Sequence, residues 1–463
     1  MSRARPQAAA VLDIGKSSVR LCAVDDHGVA MASLERPNTV DSRPPYPHFD
    51  ADELYAWLLG GLATFAREFD VHSVVPVTHG ACAALVDERG LALPIMDYEF
   101  DGLRSIDSEY DALARDFART GSPQLPVGLN LGRQLFWQQR NFPDEFARAA
   151  IVPYPQYWAW RLSGVRAWEA TSLGCHTDLW DPHTNDFSPF AKTMGWNWRL
   201  GRRANAWTSL GTLSAEAAAA TGLSSSCAVL AGIHDSNASW LAHRATRDEP
   251  FSVVSTGTWI VVMASGGALD ALREGLDMLA NVDAYGSPVP TARFMGGREY
   301  AAICGDDGLR AEPTAVDLQA VLAAGTLPIP SFSDQGGAFR AHRGRFEGRM
   351  LETPRQRAAL AALYCALMTD FCLETLDARG DVILEGRLAS NDAFGSALAA
   401  FRAPRLVLRS ADETGTLRGA ATLSLLARGR RPEPARLYPC RAGLVDQLNS
   451  GRLAWRARLP NTH

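Results

Sequence analysis

The chain carries one short construction twice, and this repeat limits its fold more than any other feature. Val11-Leu-Asp-Ile-Gly15 reads as a buried strand holding one acid, Lys16-Ser17-Ser18 as a tight turn, and Val19 to Val24 as a second strand. Asp25-Asp26-His27-Gly28 predicts a hairpin turn into a third strand at Val29. Phe251 to Met263 has the same shape: a strand, the small polar turn Ser255-Thr256-Gly257-Thr258, and a strand. An Asp among Val, Leu and Ile is costly to bury unless it meets a cation or donors. Gly15 lets the backbone approach a ligand closely, and hydroxyls and N–H groups in such turns cradle phosphate oxygens. One hairpin opening each half predicts two similar domains gripping one nucleotide, with Asp13 facing a magnesium ion. A plain hairpin with Asp13 at an edge is the alternative. Gly15-Lys16-Ser17 is not a P-loop: that motif needs a glycine where Ala10 stands, and the intervening residues are strand-like.

At 463 residues the chain is too long for one ordinary core. The charged connector Arg244 to Pro250 marks a boundary, giving domains 9–245 and 246–440 and a tail from 441 to 463. The net charge of -5 argues against a nucleic-acid or membrane-surface partner. No run approaches the ~18 apolar residues of a membrane span. Met1 to Ala10 holds Arg3 and Arg5 without an apolar core behind them, and reads as a frayed terminus. The 8 cysteines are scattered without a C-x-x-C pair, which predicts reduced thiols in a cytoplasmic protein and no zinc site. Small molecules are the expected partners, with a homodimer left open.

Ala51 to Phe69 and Pro354 to Leu376 have helical spacing, the latter with one apolar face. Ile106 to Gly164 is mostly helical, with core aromatics. Ser73 to Val77 is a strand ending at Thr78-His79-Gly80, where open α/β sheets place ligand contacts; an ordinary strand exit is the alternative. Thr171 to Asp181 reads as turn and packing residues, with His176 and Thr177 open to a sugar. The stretch Val229 to Trp240 is an apolar strand followed by His234, Asp235 and a small-residue helix start. An Asp there either caps the helix or points an ionised carboxylate into a site. Asp381 to Leu384 is a strand, and Glu385-Gly386 to Asn391 turns into a further helix, a plausible nucleotide contact. Glu413 to Gly419 opens the last helix, and the Pro-rich piece from Arg431 to Pro439 ends the ordered domain, with the order of the tail after Leu444 left open.

Four pieces stand in order: DIGKSS at 13–18, GIHDSN at 232–237, STGTW at 255–259 and EGRLASN at 385–391. Together they resemble the FGGY carbohydrate kinases, within the actin, hexokinase and heat-shock ATPase superfamily, over about residues 9 to 430. The His-Asp form of the second piece looks most like the rhamnulose kinase branch. The resemblance implies an α/β fold of two ribonuclease-H-like domains with sugar and ATP in the cleft between them. It implies Asp235 as the base that takes the sugar hydroxyl's proton and Asp13 as the residue near Mg2+. Thr256, Gly257 and Thr258 would hold phosphates with the Gly15, Lys16, Ser17 and Ser18 turn, and Gly386 with Asn391 would lie by the adenosine. Gly80, His79 and His234 would contact sugar, and Asn281 by a looser match. Two positions depart from the pattern: Lys16 stands where the family has a small residue, and Arg387 where it has a second glycine.

The expected activity is ATP-dependent phosphorylation of a sugar hydroxyl, with a ketose such as rhamnulose, fuculose or xylulose as acceptor. A sugar sensor without turnover on the same fold is the alternative. A chaperone-type ATPase is disfavoured, because no separate peptide-binding domain follows the second half. Lys16 either reaches the nucleotide phosphates or points away into solvent.

Overall fold

The computed structural model describes residues 4–411 and 415–461; Arg3, and Glu413 with Thr414 of the last helix motif, lie outside them. The chain forms two compact units. The first takes the chain up to Thr246, then Ala280–Pro288 and Gly415–Pro434; the second takes Arg247–Leu279, Val289–Thr414 and the chain from Ala435.

In the first unit Gln7–Ile14, Ser18–Val24 and Ala30–Pro37 form an antiparallel meander, in a register that sets Asp13 opposite Arg20. Asp70–Thr78 pairs parallel to the first strand and Ala228–Leu230 parallel to that one. Along the sheet the order is therefore third, second, first, fourth, fifth, with Ser209–Thr212 closing one edge. Ala8, Ala10, Leu12 and Ile14 pack with helices Ala51–Glu68 and Tyr154–Ser163. Ala9 and Val11 face helices Asp235–Arg244 and Gly415–Ala427, through Ala238, Leu241, Leu417 and Ala420. By the two-residue period of a strand, Asp13 belongs to this second face. Cover on both faces explains why the strand reads as a continuous apolar run. The expected frayed terminus is corrected here: the strand begins at Gln7, and Ala8 to Ala10 are buried. Alanine favours strands little, but pairing with Asp70–Thr78 holds these residues in one.

Helix Ala51–Glu68 starts where Asp50 accepts a hydrogen bond from the Glu53 N–H at 2.9 Å and buries Leu54, Leu58, Leu62 and Phe65. Helices Asp235–Arg244 and Gly415–Ala427 approach so closely that a Cβ at Gly419 would lie 1.9 Å from the Ala238 carbonyl oxygen.

The second unit repeats the plan. Phe251–Thr256, Ile260–Ala264 and Pro288–Phe294 form the meander, and Asp381–Gly386 then Val407–Ser410 add in parallel, in the same third-second-first-fourth-fifth order. Leu437–Pro439 lies at one edge. The repeat extends to single hydrogen bonds. His79 N–H donates to the Ile14 carbonyl at 2.8 Å, and Arg387 N–H to the Thr256 carbonyl at 2.9 Å.

Helix Pro354–Thr375 is opened by a capping box of Thr353 and Gln356. The sequence predicts one apolar face, but every residue from Ala358 to Asp370 is buried. The helix packs against both Gly296–Gly308 and Asp392–Arg402, so it has no solvent face over that span. It is the one described helix long and apolar enough to cross a membrane, and its burial makes it a core helix. The tail beyond the Pro-rich piece carries a further element. Val445–Arg456 is a helix of this unit, with Trp455 buried and its indole N–H donating to the Pro328 carbonyl at 2.7 Å. Arg452 Nε and Arg456 reach the fully buried Asp370 at 2.8 and 3.0 Å, and Arg402 lies 3.5 Å from it.

Candidate active site

Asp235 opens its helix, but it is not the cap. His234 occupies the N-cap position, and no side chain makes a capping bond there. The Asp235 carboxylate instead accepts from the N–H and hydroxyl of the adjacent Ser236, at 2.5 and 3.2 Å. Its side chain keeps 36% of its surface exposed. Burial of the surroundings raises its pKa above the ordinary carboxylate value, against the opposing influence of His79 and the Ser236 donors.

His234 supports this carboxylate. Its N–H is held by the Thr171 hydroxyl at 3.1 Å, which fixes the end of strand Ile233–His234. Asn237 Nδ2 lies 3.1 Å from His234 Nδ1. An amide NH2 only donates, so Nδ1 is the acceptor and Nε2 carries the proton. Nε2 lies 3.2 Å from Asp235 Oδ1. Burial lowers the His234 pKa to about 4, so this imidazole is neutral near pH 7. A Cβ at Gly80 would come within 2.8 Å of His234 Nε2; glycine at that strand end leaves the imidazole its place.

His79 is buried among the rings of Phe49, Tyr98 and Tyr154, with centroids 5.2–5.6 Å away. Its Nδ1 lies 2.8 Å from the Gly80 carbonyl, so Nδ1 bears the proton, and Nε2 is a buried acceptor without a protein partner. Burial lowers its pKa, with the Asp235 charge opposing. His79, Gly80, His234 and Asp235 thus come together at the ends of two neighbouring strands.

Asp13 lies in the same half-site, where the Asp235 charge adds to the rise in its pKa. Its carboxylate takes a hydrogen bond from Arg20 at 2.6 Å, and burial nonetheless raises its pKa. Gly15 N–H donates to the Ser18 carbonyl at 2.9 Å, and Asn38 ties down the Gly15 and Ser17 carbonyls at 2.8 and 3.0 Å. Lys16, expected at the phosphates, is engaged elsewhere: its ammonium pairs with Asp97 and with Glu99. Arg20, Asn38, Asp97 and Glu99 were missed by sequence reasoning. Only Arg20 left a signal, as a charge within the apolar run Val19 to Val24.

The second unit carries the other group of expected residues. Thr256 does not offer its hydroxyl: it donates to the Glu385 carbonyl at 2.6 Å and accepts from Leu388 N–H at 2.8 Å. It ties the hairpin to the Gly386 turn, while Gly257 and Thr258 are exposed at the tip. Gly386 sits at φ +79°, where a Cβ would lie 2.2 Å from the Thr256 carbonyl, so only glycine fits. Asn391 caps the next helix, its side-chain oxygen accepting from Phe394 N–H at 3.0 Å. Helix Gly296–Gly308 begins against the hairpin, Gly297 N–H donating to the Thr258 carbonyl at 3.1 Å. A helix N-terminus there suits an anion; its signal was the pair Gly296-Gly297 ahead of a helical run.

Three expected residues take other or interior positions. Asn281 is buried in strand Met278–Val282. The Thr177 hydroxyl serves its own turn, donating to the Leu173 carbonyl and accepting from Leu179 N–H. His176 Nδ1 lies 2.6 Å from the Leu129 carbonyl. No cluster of three His, Cys, Asp or Glu residues suited to a metal occurs among the described residues.

The paired sheets match proteins of known structure. A carbohydrate kinase from Novosphingobium aromaticivorans superposes with a TM-score of 0.90 and 37% identity, over 98% of this chain and 100% of that one. Plasmodium falciparum glycerol kinase with ADP is 12% identical with a TM-score of 0.75, over 99% and 100% of the two chains, and shares the fold. The fold is therefore the two-domain mixed α/β architecture of sugar kinases, the actin-like ATPase class. Residues 248–433 match the family described as carbohydrate kinase FGGY, C-terminal domain, and the chain belongs to the FGGY carbohydrate kinases. The L-fuculokinase of Salmonella typhi is 27% identical over 277 residues, 56% of this chain and 57% of that protein. The chain thus spans little more than half the length of the curated relatives it matches.

Proposed function

We propose that this protein transfers the terminal phosphoryl group of ATP to a hydroxyl of a sugar, with Asp235 as the proton acceptor. The observation that carries this is the state of Asp235: a partly exposed carboxylate at a helix start, not used for capping and steadied by Ser236 and a neutral His234. A sugar hydroxyl is a poor nucleophile near neutral pH. Phosphoryl transfer needs positioning, neutralised phosphate charge and a place for the proton. Asp235 takes the hydroxyl proton as the oxygen–phosphorus bond forms, and the bond to the ADP oxygen breaks. His79 Nε2 accepts a hydrogen bond from a second hydroxyl. In the second unit the Gly257–Thr258 tip and the helix start at Gly297 receive the phosphates.

Magnesium binds proteins through one or two carboxylates and takes its other ligands from phosphates and water. A single acid at the end of a strand suits that habit, and Asp13 is the residue that would hold the ion. When bound it supplies positive charge to the phosphates. Asp13 shares its carboxylate with Arg20, so ion and guanidinium together offset the charge of Asp13 and the nucleotide.

A ketose is the proposed acceptor, a six-carbon deoxy-ketose ahead of xylulose. The His234-Asp235 form of the motif and the similarity to L-fuculokinases support this. The test is ADP release from Mg-ATP with L-fuculose, L-rhamnulose, D-xylulose and glycerol. Stimulation by a ketose is expected. ADP release that no acceptor stimulates would refute the kinase reading, and glycerol used faster than every ketose would refute the acceptor class.

A further inference from the structure

Lys16 departs from the small residue expected in the first hairpin, and the phosphates are its obvious destination. The structure gives it another. Its ammonium pairs with Asp97 and lies 3.2 Å from Glu99. It also stands 4.9 Å from the ring centre of Tyr98 and 5.4 Å from that of Phe49, within the range of cation–π attraction. Those two rings flank His79, with centroids 5.3 and 5.6 Å from the imidazole. Asp97 is 5% exposed and also accepts from Glu99 N–H at 3.1 Å, so the turn it belongs to is fixed. Were Lys16 to swing to a phosphate, it would leave this buried carboxylate without its cation, a costly state.

We infer that Lys16 is a positioning residue of the sugar pocket and not a phosphate ligand: it pins Tyr98 and the 97–99 turn against His79, and the wall so built selects a neutral sugar over a sugar acid. Selection follows from charge. Two carboxylates face one ammonium, leaving one negative charge in excess, and Asp235 adds another in the same half-site. A sugar carboxylate would meet repulsion there while neutral hydroxyls would not. The inference rests on the kinase reading.

The experiment compares Lys16→Met, Lys16→Arg and the double variant Lys16→Met/Asp97→Asn with wild type, each with a melting curve. KM is measured for the best neutral ketose and for Mg-ATP, and affinity for fluorescent mant-ATP is titrated without sugar. Lys16→Met is expected to raise the sugar KM roughly tenfold or more and to leave ATP within about twofold. Lys16→Arg keeps the charge and restores most of the sugar affinity. The double variant recovers part of it, because no buried charge is left unpaired. D-Gluconate and D-glucuronate are expected below about a hundredth of the ketose rate. Weaker mant-ATP binding in Lys16→Met with an unchanged sugar KM would overturn the inference and leave the kinase reading intact. So would a sugar acid used as well as the ketose. Wild type that binds mant-ATP but is stimulated by no sugar would overturn both.

Discussion

Replacing Asp235 by Asn separates the two roles that an acid at a helix start can have. Were Asp235 a cap, Asn would serve about as well, since the two rank together at that position. The structure removes the cap: the side chain bonds to the adjacent Ser236 N–H, and His234 holds the N-cap position. Burial disfavours the Asp235 charge, so Asn, which carries none, is expected to leave the melting temperature unchanged or slightly higher. What it loses for catalysis is the proton acceptor, worth roughly 10²–10⁴-fold in turnover, or about 3–5 kcal/mol of barrier. Sugar affinity survives, because Asn still hydrogen-bonds a hydroxyl. The assay is kcat and KM on the best ketose, beside a melting curve. The pH profile adds a second reading. The base must be ionised, and burial raises its pKa, so the acid limb of kcat/KM falls above the ordinary Asp value of about 3.9. Turnover of Asp235→Asn within a few-fold of wild type, at an unchanged melting temperature, would refute the assignment.

Gly419→Ala puts a Cβ 1.9 Å from the Ala238 carbonyl and so pushes the helix that begins with Asp235; kcat should fall by up to about a hundredfold, the worth of a 1 Å misplacement, and wild-type kcat would show that the helix pair yields without moving the base. Gly386→Ala forces a Cβ to 2.2 Å from the Thr256 carbonyl at a left-handed φ; KM for ATP should rise with that for sugar little changed, and equal effects on both would count against a nucleotide role for this turn. Asp370→Asn removes the carboxylate shared by Arg402, Arg452 and Arg456; breaking such a buried cluster costs about 3–5 kcal/mol, read as a fall in melting temperature, and an unchanged transition would show that the C-terminal helix is held by its apolar contacts alone.

The parts legible in the sequence share one property: their cause is local. An Asp in an apolar strand followed by a glycine turn marks the hairpin, and a His-Asp pair between an apolar run and small residues marks a strand end and a helix start. What escaped depends on partners far along the chain. Asp97 lies outside any motif and matters because Lys16 reaches it. Ala8 to Ala10 lack strand propensity and are held by Asp70–Thr78. The last helix has few apolar positions, and Asp370, far earlier in sequence, anchors it. The resemblance implies nucleotide contacts for Thr256 and Asn391, but both side chains bond the backbone around them. No sequence pattern separates a hydroxyl that bonds a ligand from one that bonds the neighbouring loop.

The return of Gly415–Pro434 to the first unit bears on how the protein is made. During synthesis the strands Gln7–Ile14 and Asp70–Thr78 leave the ribosome long before Leu417, Ala420 and Leu423, which complete the cover on one of their faces. That apolar face waits for nearly the whole second unit to be translated. Severing the chain at Thr246 would therefore not yield a self-sufficient half, since the fragment would carry helix Asp235–Arg244 but not the helix it packs on. A circular permutant that places Gly415–Pro434 ahead of Gln7 would remove the wait.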